Sequence, residues 1–280
     1  MGRILTSQTA PTAHLDLQKK YSQYYLALAH LIGVDKEYTK FFEKEGKNGA
    51  YVTLDNGAYE KGTPAPPGEL IEKARLIHAK EIVTPDYFTQ GEATEEATKV
   101  FLSKFRGGTR PGTHCSKKEF KLLAPAQGKT FEEWMHCFLT FYQDPWIDYI
   151  GLSFLIIKDC FQSFIPGGDV MQTRIFCTNL LSYLGLTKKP IHLLGLGNPL
   201  ELEYQRRHSF VFRVDSSAAY DCGSQGFRFD KMTGFNRKIR KLDFKENLRF
   251  IYSKREFVAR DLISRIEHNM KMVNCFAGIS

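Results

Sequence analysis

Six short stretches place a polar side chain or a glycine directly after an apolar, β-rich run. They are Asp55 in LDNGAY, Asp86 in VTPDYF, Gln127 in APAQGKT, Ser153 in IGLSF, Gly195 and Gly197 in HLLGLGNP, and Asp215 in VDSSAAY. Carboxylates move protons and attack electrophiles, an amide reads polar edges, and glycine lets backbone come close to a ligand. A single Asp after a strand is more often a helix cap or an Asx turn. Five polar strand ends are harder to explain that way if the strands run parallel and finish on one face.

The elements that must position them can be read from hydrophobic pattern and breakers. Strands are predicted over Arg3–Ser7, Ala50–Leu54, Glu81–Pro85, Phe120–Ala124, Ile147–Leu152, Ile191–Gly195 and Phe210–Val214, with a weaker eighth near Lys241–Phe244. Helices are predicted over Leu15–Ile32, Gly68–Ala79, Glu92–Phe105, Thr130–Tyr142, Val170–Leu184, Pro199–Arg207 and Lys254–Val273. Strict alternation of strand and helix implies parallel strands joined by crossovers. Eight such units in 280 residues are the size of a closed (β/α)8 TIM barrel, an α/β fold, here one domain over 1–280 with extended loops and a basic C-terminal helical region. A doubly wound open sheet is the alternative, weakened because no Gly-rich nucleotide fingerprint follows the first strand. In a barrel, catalytic residues stand past the C-terminal strand ends, where all six stretches fall.

Composition narrows the class. Hydrophobic residues make up 42% and charged residues 25%, ordinary for a globular chain. No apolar run approaches a bilayer span and no signal-like stretch opens the chain, so a soluble, cytoplasmic protein is expected. The 6 cysteines include no CxxC pair, which predicts reduced thiols and no structural zinc; no metal and no cofactor are expected. His114–Cys115 is read as a loop dipeptide, and His136, Cys137 and His192 as packing residues.

Net charge is +8, and Gly226–Arg260 alone carries 11 Lys or Arg against 4 Asp or Glu. Seven aromatics are interleaved there, from Phe227 to Phe257. Positive charge with stacking surfaces suits a nucleic-acid strand; a solvated basic helix with core aromatics accounts for it as well.

The strand-end motifs resemble the tRNA-guanine transglycosylase (queuine/archaeosine tRNA-ribosyltransferase) superfamily, in the same order and at similar spacing from about Asp55 to Tyr220. KPIHLLGLGNPLEL, a Gly-x-Gly strand end before a helix-opening Pro, is the most specific match. Two features depart from the bacterial tRNA enzymes. The chain lacks their Cys-rich zinc motif, and SSAAYDCGSQGF stands where they carry an Arg-containing stretch. The compact, zinc-less form is most similar to the phage-type DpdA group, 7-deazaguanine DNA transglycosylases of the host cytoplasm.

The resemblance implies an exchange of guanine in DNA for a 7-deazaguanine such as 7-cyano-7-deazaguanine (preQ0). Asp215 would be the nucleophile at C1′ and Asp55 the general acid–base. Asp86 and Gln127 would read the base edge. Backbone at Gly151, Leu152 and Ser153, with Gly195 and Gly197, would approach the base, and Tyr59, Tyr87 or Phe88 would stack on it. Arg237, Lys238, Arg240 and Lys241 would hold phosphates. The implied partners are DNA and a 7-deazaguanine free base. The alternatives are tRNA as the polymer, a non-catalytic binding subunit of the same fold, and an unrelated barrel glycosidase with an Asp pair.

Overall fold

The computed structural model describes residues 2–106, 119–230 and 260–279. Eight parallel strands form one sheet among them: β1 Leu5–Gln8, β2 Tyr25–Leu28, β3 Val52–Asp55, β4 Glu81–Val83, β5 Lys121–Ala126, β6 Tyr149–Ser153, β7 Ile191–Leu194 and β8 Val211–Ser216. Each strand pairs with the next in sequence from β2 to β8, and β8 returns to β1, so the sheet closes as a (β/α)8 barrel. The last seam, β1 to β2, is joined largely by side chains. Ser7 Oγ accepts from Leu26 N at 2.8 Å, Ser22 Oγ from Gln8 N at 2.8 Å, and Gln23 Oε1 from Thr6 N at 3.0 Å.

Helices follow the strands: α1 Leu15–Tyr21, α2 Lys36–Lys47, α3 Ala58–Lys61, α4 Pro67–Leu76, α5 Gly91–Arg106, α6 Phe131–Gln143, α7 Ile157–Cys160, α8 Val170–Tyr183, α9 Leu200–Gln205, α10 Ala218–Ser224 and α11 Arg260–Phe276. Their starts carry the expected chemistry. Asp35 accepts from Glu37 N and Tyr38 N at the head of α2, and Asp169 with Gln172 makes a reciprocal capping box on α8. Among the described residues no helix is long and apolar enough to cross a membrane.

The structure corrects the strand assignment in one place. The helix predicted over Leu15–Ile32 stops at Tyr21, and Tyr25–Leu28 is a fully buried strand, β2. Ser22 turns extended and its hydroxyl accepts from Gln8 N on β1, which draws the chain into the sheet. The barrel therefore has its eight strands without Lys241–Phe244, which lies outside the described residues.

The barrel interior is charged at its lower level. Arg213 on β8 donates from Nη2 to both oxygens of Glu81 on β4, both side chains being buried. The rings of Tyr24, Tyr51, Tyr149 and Phe212 surround the guanidinium at 4.6–5.0 Å. A buried pair needs such supporting contacts to offset desolvation. Above it the strand ends open into a cavity.

Candidate active site

The cavity at the C-terminal strand ends has a volume of about 470 Å³. Asp55, Asp86, Gln127, Ser153, Gly195, Gly197 and Asp215 all line it, so seven residues singled out in the sequence converge. Gly151 and Leu152 do not line it. Leu152 is fully buried, and a Cβ on Gly151 would come within 2.6 Å of Leu194 Cδ1, so that glycine makes room for the Leu194 side chain. Leu26, Leu28, Val83, Phe88, Leu194 and Leu196 give the cavity apolar walls. Such a site suits a flat, largely apolar ligand with a few polar edges.

Asp86 is the centre of a polar cluster. Its Oδ1 accepts from Asn56 Nδ2 at 2.6 Å and its Oδ2 from Gln127 Nε2. Gln127 Oε1 in turn accepts from Thr89 N at 3.3 Å, which fixes its amide with nitrogen toward Asp86. Burial raises the Asp86 carboxyl to about 6, the two amides opposing the shift. Each Asp86 oxygen keeps a second lone pair, and the Gln127 amide a second N–H, for a ligand edge. Asn56, read from sequence only as part of a turn, is thus part of the cluster.

Asp55 ends β3. Its Oδ2 accepts from Gly57 N at 2.9 Å, and Asn56 Oδ1 accepts from Ala58 N at 2.8 Å, so Asp-Asn-Gly does form Asx turns, with Gly57 at φ 77°. The turn and the functional reading coexist, because the turn is what aims Asp55 at the cavity. Burial, then Glu60, holds the Asp55 carboxyl well above its usual range; Asp86 and Asp215 add to this and the Gly57 N–H opposes it. Glu60 on α3 also lines the cavity, and burial with nearby Asp215 pushes it up to about 7. Its Oε2 stands 3.7 Å from His30 Nδ1. Burial and the cations Lys61 and Lys73 lower His30 to about 4, so the imidazole gives Glu60 no countercharge. Asp221 on α10 is a further buried lining carboxyl, raised by burial to about 6.

Asp215, near the end of β8, accepts from His192 Nε2 at 2.8 Å. His192 is completely buried on β7, and the same nitrogen lies 3.2 Å from the Tyr24 hydroxyl. The packing role expected for His192 is therefore incomplete: it touches the candidate nucleophile.

A buried ion pair braces the β6 and β7 ends. Arg174 on α8 donates to both oxygens of Glu201, at 2.6 and 2.8 Å. It also donates to the carbonyls of Leu152, Leu194 and Gly195, at 3.4, 3.3 and 2.8 Å. Gly195 adopts φ +76°, and a Cβ on Gly197 would lie 2.5 Å from the Phe154 ring, so the Gly-Leu-Gly end needs both glycines.

Tyr59 and Phe88 line the cavity edge-to-face, with centroids 6.2 Å apart, whereas Tyr87 does not line it. Arg237, Lys238, Arg240 and Lys241 lie outside the described residues. Of the interleaved aromatics, Phe229 is described and buried, its N–H donating to Asn269 Oδ1 on α11, so it is a core residue. Among the described residues no group of three or more His, Cys, Asp or Glu is arranged to hold a metal. No protein-family model matches the chain, and neither does any curated protein.

Proposed function

We propose that the protein is a transglycosylase that exchanges guanine in DNA for a 7-deazaguanine base. One observation carries this reading: an apolar cavity holds Asp215 and Asp55 at its mouth and a hydrogen-bonded Asp86–Gln127 edge reader beside them. A purine offers that edge its ring N–H, exocyclic amine and carbonyl, and a site that pairs every polar edge discriminates strongly. Tyr59 and Phe88 supply apolar surface against the base.

Base exchange breaks and remakes a C1′–N bond through a cationic sugar, chemistry suited to paired carboxylates. The Asp215 carboxylate attacks C1′ as the C1′–N bond breaks, and the leaving guanine takes a proton from Asp55. The elevated affinity of Asp55 for its proton fits it to that step. The incoming 7-deazaguanine returns a proton to Asp55, attacks C1′ and releases Asp215. Two inversions leave the sugar configuration unchanged.

The test is nucleoside mass spectrometry of DNA and tRNA from cells expressing the protein with a deazaguanine supply. The modified base is expected in DNA and not in tRNA, with a protein–DNA adduct trapped by the wild type and lost in Asp215→Asn. Incorporation into tRNA alone refutes DNA as the polymer. Near-normal turnover of Asp215→Asn refutes the mechanism.

A further inference from the structure

We propose that His192 is a positioning residue that holds the Asp215 carboxylate in place by donating its Nε2–H, locked in that tautomer. Its catalytic consequence rests on Asp215 being the nucleophile; the hydrogen bond and tautomer do not.

The strand register brings the two residues together. Ile191 on β7 pairs with Val211 on β8, but His192 pairs with Arg213, so Phe212 is an extra residue in β8. Side chains alternate faces along a strand, and a bulge re-aims those that follow it. With uninterrupted pairing His192 would stand beside Phe212 and share a face with Val214, leaving Asp215 on the other. The bulge puts His192, Arg213 and Asp215 on the inner face together.

The tautomer follows from what surrounds the ring. Nε2 is 2.8 Å from a carboxylate oxygen, and Nδ1 is buried without a hydrogen-bond partner among the described residues. An Nδ1–H tautomer would bury an unpaired N–H and set the bare Nε2 lone pair against Asp215 Oδ1. The Nε2–H tautomer removes both penalties, leaving an unpaired Nδ1 lone pair and the Tyr24 oxygen as a second acceptor beside Nε2. Tyr24 meets the imidazole edge-on, with centroids 5.8 Å apart and planes at 89°, which fixes the ring plane. Among the described residues, the groups facing Asp215 from other elements are Tyr24, Asp55, Glu60 and His192, and of these only the imidazole brings a nitrogen donor. The other three are a phenol and two carboxyls, and neither carboxyl attracts an anion.

A carboxylate aimed at C1′ by one hydrogen bond loses its aim without it, and a misplacement of about 1 Å costs about a hundredfold in rate. Two measurements test the role. The first is ¹⁵N NMR of the histidine rings in the free protein, with the His192 signals assigned by their loss in His192→Gln. The wild type is expected to show protonated Nε2 and bare Nδ1, and Asp215→Ala is expected to mix the tautomers. The second is the single-turnover rate of adduct formation on DNA. In His192→Leu it is expected to fall about a hundredfold, with KM for DNA and Kd for the free base unchanged, while His192→Gln, which keeps an amide donor, recovers to within about tenfold of wild type.

A wild-type Nδ1–H tautomer, or an unchanged adduct rate in His192→Leu, overturns the proposal. Equal losses in the Gln and Leu variants together with a raised KM also overturn it, since that pattern belongs to packing. If the wild type forms no adduct with DNA or tRNA but His192 keeps the stated tautomer and responds to Asp215→Ala, the transglycosylase reading falls and the positioning contact is upheld.

Discussion

Glu60→Gln should stabilise the protein, by a gain that grows as pH rises from about 4.5 to 7 and is constant above that. The Glu60 carboxyl is raised from 4.5 to about 7, and its side chain is 16% exposed. A group raised in the folded state binds its proton more tightly there than in the unfolded chain. Below about pH 4.5 both states are protonated and the glutamate costs nothing. Between about pH 4.5 and 7 the folded state keeps a proton that the unfolded chain has released, and above 7 it buries a charge, so stability falls across that window and then levels off. The full difference, at about 1.4 kcal/mol per pH unit, is about 3 kcal/mol, and partial exposure brings it to roughly 2–3 kcal/mol. His30 cannot offset it, being neutral above about pH 4. Glutamine keeps the shape and an N–H for His30 but never ionises. For a chain of this size the gain corresponds to about 4–6 °C in Tm at pH 8, shrinking to nothing at pH 4. Thermal melts of both proteins from pH 4 to 8, followed by circular dichroism, measure the gap. A gap that does not change with pH, or a wild type that is the more stable at pH 8, would refute the reasoning.

Two further outcomes are expected. Arg174→Met should lower unfolding free energy by about 3–5 kcal/mol in urea titrations, because it strands the Glu201 carboxylate in the interior and unties three carbonyls at the cavity edge. Neutralising Arg237, Lys238, Arg240 and Lys241 together should weaken DNA binding across all sequences and flatten its salt dependence by a slope of roughly 0.7–0.9 per lost phosphate contact, with free-base binding unchanged; an unchanged slope would return the basic run to being a solvated surface.

What the sequence made legible depends on how far each feature is local. Asp55, Asp86, Gln127 and Asp215 are legible because each follows a β-rich run that a breaker ends, and the barrel rule assigns all such ends to one mouth. Tyr25–Leu28 reads as helix because YYLALAHLI is almost wholly apolar, and period cannot separate a buried strand from a helix in so short a run. Lys36–Lys47, a helix behind the Asp35 cap, has no counterpart among the predicted elements, because KEYTKFFEKEGK is mostly charged and carries few apolar positions to mark a face. Asn56 carried turn chemistry that hid its bond to Asp86. Arg174 stands 27 residues from Glu201, so nothing in either neighbourhood announces the pair. His192 was the least accessible of all, since its face depends on one extra residue in another strand.

That extra residue links stability to the site. The same shift that sets His192 beside Asp215 sets Arg213 inward toward Glu81, across the barrel from β8. A one-residue slip would turn both Arg213 and Asp215 out of the interior, because the side-chain period of a strand is two. It would take from the buried Glu81 and His192 their partners on β8, and a buried charge without its counterion is among the costlier defects a core can hold. The four rings around Arg213 would lose their cation in the same step. The charged lower layer therefore does more than fill the barrel: it selects the single register in which Asp215 reaches the cavity. Asp55, on a strand paired to β4 through Thr53 and Glu81, is fixed by the same layer from the opposite side. Two carboxylates that line one cavity are thus indexed to a common ion pair beneath them.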